Sequence, residues 1–105
     1  MTQTVTILIG NSDDGLTQKE WSEFYRNAED IIRDSGSVQF SGPSVGAAPW
    51  QNACWVVVLD TPLDRLRKWL VVLAQRWRQD SIAIVVGETE FVESRRGRAP
   101  DEVQG

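Results

Sequence analysis

The 105-residue chain is predicted to be an α+β domain, ordered strand–helix–strand–strand–helix–strand. That order is the split βαβ, or ferredoxin-like, plait, with two helices on one face of an antiparallel sheet. Three observations predict it. Two helix starts share one chemistry, Thr17 with Glu20 and Thr61 with Asp64, in which a threonine caps free N–H groups and an acid three residues later reaches back. Each start follows an apolar strand segment. Two further strand segments lie between the helices, and right-handed crossovers then place the first and third strands, the more apolar ones, at the centre.

Residues 4–9 are β-branched and apolar, as a strand requires. Asn11, Ser12, Asp13, Asp14 and Gly15 are turn formers. A helix then starts at Thr17, with Leu16 and Trp21 at the spacing of a hydrophobic staple. Its apolar stripe is Trp21, Phe24, Tyr25, Ala28, Ile31 and Ile32, and Asn27 falls on the polar face. Gly36 is expected to end it as a left-handed cap. Val38 to Phe40 begins a second strand, and residues 41–49 form a loop or an irregular edge strand. Residues 53–59 are nearly all apolar, which fits a central strand.

The second helix is predicted with Thr61 as its cap and Pro62 at its first position, where the missing N–H costs nothing. Its stripe is Leu63, Leu66, Leu70, Leu73, Ala74 and Trp77, and Gln79 and Asp80 end it. Residues 81–86 form the last strand, with residues 88–92 as a short edge extension. The domain is therefore expected over residues 1–93. A flexible tail follows over residues 94–105, where periodicity is lost.

Composition narrows function. No apolar run approaches the roughly 18–20 residues of a membrane span. Met1, Thr2, Gln3 and Thr4 lack the positive charge that opens a signal peptide, so a cytoplasmic protein is expected. The single Cys54 can form no intramolecular disulfide and, beside Trp55, reads as a buried inert thiol. Histidine is absent, which removes the commonest general base and zinc ligand. A net charge of −4 disfavours extended duplex binding, and nucleic acid is not expected as a main partner.

Glu20, Trp21, Ser22, Glu23 and Phe24 on the first helix precede a glycine- and tryptophan-bearing middle. Arg76, Trp77, Arg78, Gln79, Asp80, Ser81 and Ile82 then run into the last strand. This arrangement is similar to small uncharacterised ferredoxin-like proteins of bacteria and their phages, over about residues 5–92. The resemblance implies the plait and a phage-related origin. It implies no catalytic residue.

Candidate chemistry is sparse. Asp13 and Asp14 face a helix N-terminus, where acids stabilise the dipole and close turns, although two carboxylates also suit a hard cation. Glu88 and Glu90 share one strand face and are expected to be solvated. No nucleophile or nucleotide-binding motif is present, so no catalytic residue, cofactor or metal site is assigned. Arg95, Arg96 and Arg98 precede Asp101 and Glu102 in the tail.

Tryptophan is abundant, with five residues. Trp21, Trp55 and Trp77 are expected in the core. Trp69 lies off the second helix stripe, among Arg65, Lys68, Val72 and Arg76, and Trp50 sits in a turn after Pro49. Valines 71 and 72 widen the apolar arc beyond what one sheet face uses. Acids dominate the first helix and cations the second, which suits mutual attraction or a complementary binding surface. The expected function is a small cytoplasmic, protein-binding or regulatory module. Its surface is Trp69, Val72, Arg65 and Arg76 with Trp50 beside it, and its partner is another protein or itself, as a homodimer. The alternative is a small-ligand binder or enzyme of the dimeric α+β barrel type, with a pocket lined by Trp50, Gln51 and Asn52 beneath the 41–49 loop.

Overall fold

The computed structural model describes residues 3–88 and 90–94. Strand β1 spans Gln3–Gly10, helix α1 Gln18–Ser35, β2 Gly36–Pro43, β3 Asn52–Leu59, α2 Leu63–Arg76 and β4 Ala83–Val86. The sheet order is β2-β3-β1-β4 with every pairing antiparallel, which makes this a ferredoxin-like plait with β1 and β3 central. The tail over residues 95–105 and the residue Thr89 lie outside the described residues. No helix among the described residues is long and apolar enough to cross a membrane.

Alternation along the central strands builds the core. Val5, Ile7 and Ile9 of β1 and Ala53, Trp55, Val57 and Leu59 of β3 point to one face. There they meet Phe24, Ala28 and Ile32 of α1 and Leu66, Leu70 and Leu73 of α2. The two helices therefore lie together on a single face, and the other face of the sheet is left uncovered by them. Trp55 is fully buried, and its indole Nε1 has no hydrogen-bond partner.

The first helix start forms as its sequence predicts. Glu20 N–H donates to Thr17 Oγ1 at 3.1 Å, and Thr17 N–H donates to Glu20 Oε1 at 3.0 Å, which closes the capping box. The second does not. Pro62, at φ −59° and ψ 138°, is the cap residue itself, and its carbonyl accepts from Arg65 N–H. Thr61 Oγ1 is buried without a partner, and Asp64 pairs forward with Arg67 at 3.0 Å instead of reaching back.

Other junctions differ from expectation too. Gly36 is not left-handed: at φ 167° it is extended and opens β2. Glycine is needed there because a Cβ would fall on the Val58 carbonyl and Leu59 Cα of the neighbouring strand. One junction follows the expected alternative: strand β2 runs on to Pro43, with a register shift between Val38 and Phe40, so residues 41–43 are the irregular edge strand. Helix α2 stops at Arg76, before Gln79. Arg78 takes a left-handed φ of 56°, and Arg78 N–H and Gln79 N–H donate back to the carbonyls of Gln75 and Ala74. This is the helix-ending double bond usually made with glycine. Strand β4 begins at Ala83, and residues 88 and 90–92 are not strand.

Candidate functional site

Trp69 projects from the outer side of α2, 52% exposed. The indole forms a wall between two depressions where α2 meets α1. One, of about 320 Å³, is bounded by Ile31, Asp34, Thr61 and Arg65. The other, of about 240 Å³, is bounded by Asn27, Asp30, Val72 and Arg76. The Trp69 ring thus lies between two depressions lined by acidic residues of α1 and basic residues of α2. Among the described residues Arg65 and Arg76 form no ion pair with Asp30 or Asp34, and the guanidinium of Arg76 lies 5.8 Å over the Trp77 ring.

Of the sequence-predicted surface, Arg65, Trp69, Val72 and Arg76 come together. Trp50 does not line either depression. It sits in the β2–β3 connection at the end of the molecule where α1 begins, because β3 starts opposite Gly10 and α1 follows it. The charge segregation yields little attraction between the helices themselves. Arg33 pairs with Glu29 and Arg67 with Asp64, each within one helix. Arg78, just past α2, reaches Glu20 of α1 at 2.8 Å. The Glu20 carboxyl is held below its ordinary value, first by the Thr17 N–H and then by the Arg78 guanidinium. Asn27, placed on the polar face by periodicity, accepts from the Trp77 indole N–H at 3.2 Å.

Trp50 belongs to a second site. With Gln51 and Asn52 it lines a cleft of about 340 Å³ beneath residues 43–48, and Trp21 and Tyr25 of α1 supply the opposite wall. Three amides hold that wall and floor together. Asn11 is fully buried, accepts from Leu16 N–H at 2.8 Å and donates to Leu16 O at 3.1 Å. Its amide also donates to Gln51 Oε1, and Asn11 N–H donates to Gln51 O at 2.8 Å. Gln51 and Gln18 exchange amide hydrogen bonds at 2.9 and 3.0 Å. Gly10 leaves room for this cluster, since a Cβ there would meet Asn52 Oδ1 and Trp50 Nε1. Asn11 looks in the sequence like any turn former, and nothing local marks it as the buried tie between two loops. Asp13 and Asp14, at φ 56° and 52°, form a 3-10 turn beside the cleft.

A third concavity was not foreseen. Between α2 and the short edge strand β4 lies a groove of about 590 Å³, with an apolar floor of Leu70, Val71, Ala74, Ile82, Ile84 and Val86 and polar residues, Arg67, Gln75, Gln79, Asp80 and Ser81, along its lining. Strand β4 has only four residues. Val71, which widens the apolar arc of α2, faces this groove rather than the Trp69 depressions.

No family model matches the chain and no curated protein matches its sequence, so a functional reading rests on these surfaces alone.

Proposed function

We propose that the protein is a small cytoplasmic, phage-related module that binds another protein through its helix layer and catalyses no reaction. The observation that carries this is Trp69, half exposed between the Asp30 and Asp34 carboxylates and the Arg65 and Arg76 guanidinium groups. Tryptophan and arginine are the residues enriched at interface centres, and charged groups such as these carboxylates belong to the polar rim around them.

The test is capture of a partner from the native host by the wild-type chain, and its retention by Trp69→Ala and Arg76→Glu. Loss of a central tryptophan contact weakens binding by about 2 kcal/mol, roughly thirtyfold. Equal capture by folded variants would remove this surface from consideration.

One observation favours a second reading, a small-ligand binder or enzyme. The cleft of about 340 Å³ combines three aromatic rings with the amides of Gln51 and Asn52. A ligand there would raise the melting temperature of the wild-type chain and leave Trp50→Ala unmoved.

A further inference from the structure

Aromatic rings and one carboxylate set the character of the cleft beneath residues 43–48. Trp21, Tyr25 and Trp50 line it, each partly buried. The Trp21 and Tyr25 rings stand at 69° to one another with centroids 6.4 Å apart. Each rests against a fully buried ring, Trp21 edge-on to Phe24 at 5.9 Å and Tyr25 beside Trp55 at 5.1 Å. Walls fixed in this way need little ordering when a ligand arrives. Among the described residues that line the cleft, Asp14 alone is charged, and it forms no ion pair with another described residue. The polar side chains are already committed to holding the walls. Gln51 exchanges amide hydrogen bonds with Gln18, Asn52 donates to Trp50 O at 2.9 Å, and the Ser44 hydroxyl accepts from Asn52 N–H at 3.1 Å.

We propose, resting on the reading of this cleft as a ligand site, that it binds a methylated ammonium group, the head of a choline-type compound or of a trimethylated lysine. Such a group spreads a positive charge over methyl surface and has no N–H to donate. It asks nothing of the committed amides. It gains instead from aromatic rings, whose negative faces attract a cation within about 6 Å of the ring centroid. Asp14 supplies a counter-charge, and the chain's net charge of −4 draws cations toward it. Other classes fit less well. A sugar needs several open donors and acceptors, and an anion meets the Asp14 carboxylate. An unmethylated lysine ammonium is strongly hydrated, and its N–H groups find too few acceptors here to replace that water. A volume of about 340 Å³ lies within the roughly 300–1,000 Å³ of small-ligand sites. Trp69 lines none of this cleft, so the two surfaces are separable by mutation.

The experiment is calorimetric titration of the full chain with choline chloride, against sodium chloride of equal ionic strength, with melting curves as the control for folding. Choline is expected to give a saturable heat and to raise the melting temperature. A peptide carrying trimethyllysine is the second arm, and the tighter binder of the two names the source of the group. Trp50→Ala is expected to weaken binding about tenfold by removing one ring. Asp14→Asn, a residue that accepts the left-handed φ of 52° at that position, is expected to weaken it about threefold while the fold is kept. The neutral tert-butyl analogue of choline keeps the shape and drops the charge. It and the peptide with unmodified lysine are each expected to bind about tenfold more weakly. A neutral analogue that binds as tightly as choline overturns the proposal and leaves the cleft a ligand site of another chemistry. So does the absence of any response to both choline and the trimethyllysine peptide, or binding that survives Trp50→Ala and is lost in Trp69→Ala. The ligand-site reading itself fails separately, when no compound of a mixed screen gives a melting shift that Trp50→Ala abolishes.

Discussion

Replacing Asn11 by alanine tests how the two loops around the aromatic cleft are held. Asn11 gives Leu16 both an acceptor for its N–H, at 2.8 Å, and a donor for its carbonyl, at 3.1 Å. Leu16 is only 5% exposed, so water does not replace either bond freely. An unpaired buried N–H costs about 1–3 kcal/mol and a carbonyl, with its second lone pair, rather less. The loss for Asn11→Ala is therefore about 3 kcal/mol, a large part of the roughly 5–15 kcal/mol that holds a domain of this size. At about 4–8 °C per kcal/mol for small domains, the melting temperature falls by some 12–24 °C. Urea unfolding followed by far-ultraviolet circular dichroism measures it, and an unchanged slope against urea shows that the native state remains compact. Asn11→Asp sharpens the test. It keeps the acceptor for Leu16 N–H but turns a carboxylate oxygen toward Leu16 O and Gln51 Oε1. Its deficit should exceed that of alanine at neutral pH and shrink on acidification, when the protonated carboxyl regains a donor. A loss below about 1 kcal/mol for Asn11→Ala, or a pH-independent Asn11→Asp, would refute the claim that this amide ties the loops.

Two further predictions concern the frame. Gly36→Ala forces a Cβ against the backbone of Val58 and Leu59, which cannot move aside as a flexible side chain would, so it should cost about 2–3 kcal/mol. Gly42→Ala, where nothing lies within 4 Å, should change stability by under about 0.5 kcal/mol, and equal melting points for the two would disprove the close approach. The lowered Glu20 pKa predicts an acid-labile contribution. It is fully present above the ordinary value of 4.5 and is lost as pH falls through the depressed folded value. The melting-temperature gap between wild type and Glu20→Gln should therefore stay constant above pH 5 and close at lower pH, and a gap that widens there would reverse the assignment.

Element identity was legible from the chain because it is encoded over a few residues. The α1 stripe, its capping box and the apolar alternation of β1 and β3 each depend on neighbours within one or two turns. The two threonines show where that stops. Thr17 and Thr61 sit in the same local pattern, yet Pro62 adopts an extended ψ that delays the helix, and Arg67 draws Asp64 forward. The site was legible in part for the same reason. Arg65, Trp69, Val72 and Arg76 share a helix flank, so spacing alone groups them. Trp50, in the turn after Pro49, was placed beside that group and, in the alternative, with Gln51 and Asn52 in a pocket under the 41–49 loop; the chain path takes it to that cleft.

From the sequence alone came the βαββαβ order, the central place of β1 and β3, the stripes of both helices and the α2 flank around Trp69. Tertiary structure alone decided which glycines face backbone, that Asn11 is buried between two loops, and that Arg78 reaches Glu20. It also decided that Phe40, Val56, Thr6 and Val85 share one uncharged row. The physical reason is separation along the chain. Helical and strand periodicity are set by adjacent dihedral angles, whereas contacts between residues 11 and 51, 20 and 78, or 40 and 56 exist only once the strands have paired in register.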